Sequence, residues 1–355
     1  SILNNDALVF IKHWKDSQSQ RQSYRTWAET YAQMINIEND LQDRDYRQLI
    51  EMDYFKLIDQ KILRDLVRQV GESTITSKEV QKILEKRRTT HWFDQFTEAY
   101  RAVLSASEFF YTLKQSDFTI HNIDEGIEKY SKHWYRIDQY YRHFVYFQKR
   151  SGYSTLFETL GTKVENHYQN NYLLKLSGEW QQALDQIGQW PQGLAAFQKY
   201  FYNDFVEPFL LENNKVFVII SDGLRYEIGE ELTDFISHEE RYEATLKPMW
   251  SMLPSYTQLG MAALLPNHKL AFSESMTGAV DVDGKSSQGT ENRSKILANE
   301  VPSGGLAMQM DEFTALNVTD ARALIRDNDV IYFYHNRIDS TGDKRLTETK
   351  VFEAV

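Results

Sequence analysis

Three short stretches carry side chains whose types and spacing could do chemistry. In VFVIISDGLRY, residues 216–226, an apolar run ends on Asp222 and Gly223. A carboxylate there, beside a glycine that lets the chain turn sharply, can hold a divalent cation beyond the carboxyl end of a buried strand. The same aspartate can instead cap a helix beginning near Leu224. In MLPSYTQLGMAALLP, residues 252–266, Pro254 ends an extended segment and Ser255 or Thr257 opens a short apolar helix. Backbone N–H groups at a helix start favour negative charge, which suits a hydroxyl nucleophile and its phosphorylated form. Ser255 reads as a helix cap, and Thr257 is the better nucleophile candidate. In YFYHNRIDSTGD, residues 332–343, His335, Asp339 and Asp343 recur every four residues after a strand. They form a nitrogen and oxygen ligand set for Zn, Mn or Mg, with an ordinary polar turn as the alternative.

Two further stretches carry weaker signals. GTENR, residues 289–293, brings Arg293 to where a guanidinium could fork onto a phosphate, or it is simply a solvated helix start. LEKRRTTHW, residues 84–92, joins Lys86, Arg87 and Arg88 to Trp92 and could touch a phosphate backbone, but it reads better as a charged helical face.

The elements that must position these residues follow two grammars. Up to residue 212, apolar side chains recur at helical spacing, as in Ile123, Ile127, Tyr130, Trp134, Ile137, Tyr141 and Phe144. TSKE, residues 76–79, has the form of a capping box, and VGESTIT and QSD are short connections. Residues 1–212 are therefore expected to be an all-α helical domain. From 213 the pattern alternates: a strand over 216–220, buried on both faces, then a helix over 225–238. An extended stretch near 241–247 and a short helix after Pro254 follow. Further strands are expected at 305–310 and 329–335, which makes 213–355 an α/β domain with a mainly parallel sheet. The Gly- and Ser-rich stretch 277–290 reads as an excursion from that sheet, and the surface 267–288 as a lid or a disordered loop.

Composition narrows the classes. Fifty-one acidic against 40 basic residues give a formal net charge of -11, which argues against a broad, sequence-blind grip on nucleic acid. With no cysteine, any metal must be held by oxygen or imidazole, and a reducing cytoplasm suits the chain. No apolar run reaches the roughly 20 residues a membrane helix needs, so no membrane partner is expected. The chain starts without Met and stops at ETKVFEAV, inside a helical pattern, as expected of a piece of a longer protein.

Taken together, VFVIISDGLRYEIGEEL, LPSYTQLGMAALLP, GTENRSKIL and VIYFYHNRIDSTGD resemble the PglZ family, the alkaline phosphatase-superfamily component of BREX phage-defence systems. The resemblance covers roughly the last 140 residues, and the region before them is similar to the helical part of longer members. It implies that 213–355 is the first half of an alkaline phosphatase-like three-layer α/β domain. It implies that Asp222 is a metal ligand and that Thr257 is a nucleophile that also ligates metal. IDSTGD is similar to the PDSSGH turn of nucleotide pyrophosphatases, so Asp339 matches a ligand of a second metal, and Asp343 falls where those enzymes have His. Either His335 supplies the nitrogen or Asp343 ligates through oxygen and favours Mn or Mg over Zn. The superfamily's later Asp-His pair and final His have no counterpart here, so half of the two-metal site is expected to lie in a part of the protein beyond this chain. The resemblance thus implies a metal-dependent phosphatase or phosphodiesterase, or a nuclease, acting with other BREX proteins on a phosphate ester or nucleic acid and inactive as this piece alone. The competing expectation is a non-catalytic interaction or sensing scaffold in the defence complex.

Overall fold

The computed structural model describes residues 2–188, 196–273, 278–343 and 350–355. Two compact units emerge: one of Ser1–Ile120 with Lys132–Gln182, the other of His121–Ser131 with Ala183–Val355. Among the described residues, no helix is long and apolar enough to cross a membrane.

The first unit is helical, with Arg21–Met34, Lys56–Gly71, Ser77–Arg87, Phe93–Gln115, Tyr135–Ser151 and Ser154–Asn166 as its main helices. Their apolar stripes meet in a core that includes Tyr24, Ile62, Leu66, Val80, Phe109 and Phe157. Each such side chain contributes roughly 1.5–3 kcal/mol by leaving water. The capping box forms: Thr76 Oγ1 accepts from the Glu79 N–H, and the Glu79 carboxylate accepts from the Thr76 N–H. The stretch read as a charged face is only partly one. Arg87 is fully buried and forks onto Asp59 at 2.6 and 3.1 Å, while its remaining N–H groups reach the carbonyls of Ile50 and Met52. Asp59 also accepts from Tyr100 at 2.6 Å. A buried charge persists only when paired and bonded this fully.

Among the described residues, the second unit carries eight short strands: β1 (Ala196–Phe197), β2 (Val216–Ser221), β3 (Met249–Trp250), β4 (Leu270–Phe272), β5 (Val280–Val282), β6 (Lys285–Ser286), β7 (Gly305–Gln309) and β8 (Val330–His335). The main sheet is parallel, in the order β2-β8-β7. Between these strands run the helices Tyr226–Ser237, Thr257–Ala263, Gly289–Glu300 and Val318–Asp327. The helix Gly289–Glu300 lies so close to β7 that a Cβ on Gly305 would sit 2.6 Å from the Leu297 carbonyl carbon.

Three expectations are corrected here. The strand 216–221 is not buried on both faces: among the described residues it lies at the edge of the sheet, with Phe217 45% and Ile219 61% exposed. The doubly buried strand is β8, central in the sheet, whose residues 330–334 are at most 4% exposed. No strand forms over 241–247; instead β3 follows and pairs in parallel with β1. Among its described residues, the segment 267–288 is neither a lid nor disordered but a three-stranded antiparallel meander, β4-β5-β6. Residues 274–277 within it lie outside the described residues.

Candidate active site

β2 and β8 end level with one another, because the parallel register sets Ser221 opposite His335. Ser221 Oγ lies 2.9 Å from His335 Nδ1, and the next N–H, that of Asp222, donates to the His335 carbonyl at 2.9 Å. The chain then turns at Gly223, with φ of +77°. A Cβ there would meet the Asp339 backbone nitrogen at 3.2 Å and its Cα at 3.4 Å, so glycine is required both by the left-handed conformation and by the close approach. This contact brings the loop bearing Asp222 against the residue bearing the second carboxylate. The helix that follows starts at Tyr226 with Arg225 at its N-cap, so Asp222 does not cap it.

Burial and the nearby Asp339 charge push the Asp222 carboxyl above its ordinary value, in that order, opposed by the Gly223 N–H and by Arg293. Arg293 is not on a solvated helix start. It is buried, donates from Nε to the Ser287 carbonyl at 2.9 Å, and lies over the Tyr334 ring at 4.5 Å. Its Nη2 is 3.4 Å from Gln258 Oε1, the side chain next to Thr257.

Thr257 is the first residue of the helix Thr257–Ala263, and its N-cap position is held by Tyr256, not Ser255. The Tyr256 hydroxyl donates to the Gly278 carbonyl at 2.8 Å, and its ring lies nearly parallel to that of Phe272. The meander thus grips the residue just before Thr257, and through Ser287 it also holds Arg293. Asp222 and Thr257 share the wall of one cavity of about 400 Å³, together with Gln198, Ser221, Ser251 and Met261.

The structure therefore gathers Asp222, Thr257, Asp339 and Arg293 around the ends of β2 and β8. His335 joins them through Ser221, with Nδ1 engaged by that hydroxyl. Asp343 lies one helical turn past Asp339, its N–H donating to the Asp339 carbonyl at 2.8 Å and its side chain exposed. Among the described residues, no group of three or more His, Asp or Glu side chains is placed to hold a metal ion. Asp222 and Thr257, which share the cavity, and Asp339, whose charge Asp222 feels, all offer oxygen, the donor type that Mg and Mn favour. Two members of this neighbourhood, Ser221 and Gln198, were not among the candidates above. Ser221 is the last residue of an apolar run, which could have flagged it. Gln198 comes from upstream of residue 213, where nothing local ties it to the sheet.

The BREX system PglZ alkaline phosphatase-like domain matches residues 201–355, a span that holds Asp222, Thr257, Arg293 and Asp339. Residues 201–355 belong to the PglZ family. The likeness extends beyond the PglZ domain to the whole chain in two curated relatives. The alkaline phosphatase-like protein PglZ of Bacillus cereus (strain H3081.97) is 32% identical over 359 residues, covering 100% of this chain and 42% of its own length. The alkaline phosphatase-like protein BrxZ of Escherichia coli O9:H4 (strain HS) is 34% identical over 363 residues, covering 98% of this chain and 42% of its own length. The chain thus spans less than half the length of these relatives. No solved structure matches it.

Proposed function

We propose that the PglZ domain carries part of the centre of a metal-dependent phosphohydrolase of a BREX defence system, acting on a phosphomonoester, a phosphodiester or a nucleic-acid strand. The observation that carries this reading is the pair Asp222 and Asp339. Burial first, and the nearby Asp339 charge second, lift the Asp222 carboxyl at the edge of a cavity that Thr257 also lines. A half-buried carboxylate that feels a neighbouring like charge is destabilising by itself, and a divalent cation bound by both carboxylates would relieve the repulsion. Such a cation, Zn with Mn or Mg as alternatives, would be held by Asp222, Asp339 and the Thr257 hydroxyl and would supply Lewis acidity toward a phosphoryl oxygen. His335 or Asp343 would complete the set, with other ligands outside this chain.

Within the chain, Thr257 is the nucleophile: its hydroxyl oxygen, at the first position of its helix, bonds to phosphorus as the bond to the ester's leaving oxygen breaks, its proton passes through solvent to that departing oxygen, and water then hydrolyses the phosphothreonine. Arg293, whose guanidinium lies over the Tyr334 ring, offsets negative charge near Asp222. We place the start of the phosphatase-like domain at residue 213 and the preceding helical domain at 1–212, with other BREX proteins as its partners and the cytoplasm as its setting.

The test is hydrolysis of bis(4-nitrophenyl) phosphate and of DNA by the full-length protein with Zn, Mn or Mg, beside Asp222→Ala and Thr257→Ala. Each substitution should lower turnover by at least about 100-fold, the scale of losing a principal catalytic group. Turnover that survives both, or that is absent with all three metals, refutes the reading. One observation favours a second reading, a non-catalytic scaffold: among the described residues, no three metal-ligating side chains cluster. That reading predicts wild-type assembly of the defence complex by Asp222→Ala.

A further inference from the structure

The cavity beside Asp222 and Thr257 is larger than the chemistry at its rim requires. A phosphate group would leave most of its approximately 400 Å³ empty. That volume falls in the range, roughly 300–1,000 Å³, of pockets that enclose small organic ligands. Its lining also has a definite character. Among the described lining residues Asp222 is the only charged side chain, so no cationic side chain there pairs with a second phosphate. The rest of the lining mixes hydroxyls, Ser251 and Ser255 among them, with the apolar Ile220, Met252, Met261 and Leu264 and one amide, Gln198.

The orientation of that amide is set by its neighbours. Gln198 Oε1 accepts the Met252 N–H at 3.0 Å, so the oxygen is engaged and the NH2 group is the donor left for a ligand. A Cβ on Gly260 would lie 3.2 Å from Gln198 Nε2, so the amide rests directly on the helix that begins at Thr257. Methionine thioethers adapt to irregular shapes and make favourable contacts with aromatic rings. An amide donor set among two methionines and two branched aliphatic side chains recognises a flat ring that carries acceptor atoms.

We propose that this cavity is a subsite for a flat, nucleoside-sized heteroaromatic group carried on the substrate's phosphate, with the Gln198 amide as its hydrogen-bond donor. The proposal rests on the phosphohydrolase reading for the position of the phosphate and adds the class of group attached to it: a nucleotide unit, not a sugar phosphate or a polyphosphate.

Calorimetric titration of the full-length protein with AMP, ribose 5-phosphate and inorganic phosphate tests it without requiring turnover. AMP should bind at least about tenfold more tightly than ribose 5-phosphate. Gln198→Glu, which keeps the acceptor for Met252 and removes the donor, should bring that ratio close to one. Met261→Trp, which fills the cavity, should do the same by a different route. Equal affinities for AMP and ribose 5-phosphate, or a ratio that survives both substitutions, overturns the subsite. Hydrolysis of methyl 4-nitrophenyl phosphate, which has no nucleoside, reads the phosphohydrolase proposal separately. Turnover of that ester without an AMP preference removes the subsite alone. An AMP preference that both variants abolish, with no turnover of any phosphodiester, supports the subsite and removes the hydrolase.

Discussion

Gly223→Ala changes no charge and removes no hydrogen-bonding group, yet it should damage both stability and activity. The residue has φ of +77°, and placing a Cβ in that left-handed conformation costs roughly 1–2 kcal/mol. The new methyl would also meet the Asp339 nitrogen at 3.2 Å, its Cα at 3.4 Å and Ile338 Cγ2 at 3.4 Å. Two of these are backbone atoms that no rotamer change can move, so overpacking adds about 1–2 kcal/mol. The sum is about 2–4 kcal/mol, or about 4–16 °C in the melting temperature of a unit this size. Relief of the clash separates Asp222 from Asp339, and a displacement approaching 1 Å lowers turnover by up to about 100-fold. Gly284→Ala is the control: it shares the left-handed conformation, at φ of +79°, but has nothing within 4 Å of its would-be Cβ. Thermal unfolding and bis(4-nitrophenyl) phosphate hydrolysis by the full-length protein read both variants. If Gly223→Ala behaves like Gly284→Ala in both assays, the close approach does not hold the two carboxylates together and the reasoning fails.

Asp222→Asn should raise thermal stability at neutral pH in a chelator while abolishing turnover. The folded state holds this carboxyl above its ordinary value, so it binds the proton more readily than the unfolded state. The wild type therefore loses stability as pH rises through the raised pKa. The advantage of the variant should vanish near pH 3, where both states of the wild type are protonated, and Mn or Zn should raise the wild-type melting temperature but not that of the variant. In the helical unit, Arg87→Met strands the buried Asp59 carboxylate and should destabilise by about 3–5 kcal/mol in denaturant titration. Adding Asp59→Leu should recover most of that loss; no recovery would mean that Arg87 acts through its two carbonyl contacts. Tyr256→Phe removes the bond to Gly278 and keeps the ring against Phe272, so stability should fall by about 0.5–1.5 kcal/mol. Its kcat should fall several-fold with KM nearly constant, and an unchanged kcat would show that the meander does not position Thr257.

The strands 216–221, 305–309 and 330–335 were legible because each is a continuous apolar run, and the helix at Thr257 because Pro254 and a short apolar stretch announce it. Which strand is central was not legible. VFVIIS and VIYFYH are equally apolar, and only the order of the sheet exposes Phe217 and Ile219 while covering Phe333. Local reading also left open that Asp222 caps a helix near Leu224, whereas the helix starts at Tyr226, because the turn at Gly223 packs against Asp339, 116 positions later. Arg87 was read as surface for the same reason: its partners Asp59 and Tyr100 lie on other helices. Gln198 and the meander could not be found locally at all, since their contacts with the site are made only by the folded chain.

The pairing of Ser221 with His335 spans 114 residues, and this has a consequence in time. A ribosome adding about 5–20 residues per second needs on the order of ten seconds to release β8 after β2 has emerged. Through that interval β2 has no partner, and Phe217 and Ile219 stand on a bare apolar ribbon, the kind of segment that joins other chains. The loop with Asp222 is made early, and Asp339 follows only after β8. A nascent chain therefore cannot bring the two carboxylates into one neighbourhood until β8 has joined β2.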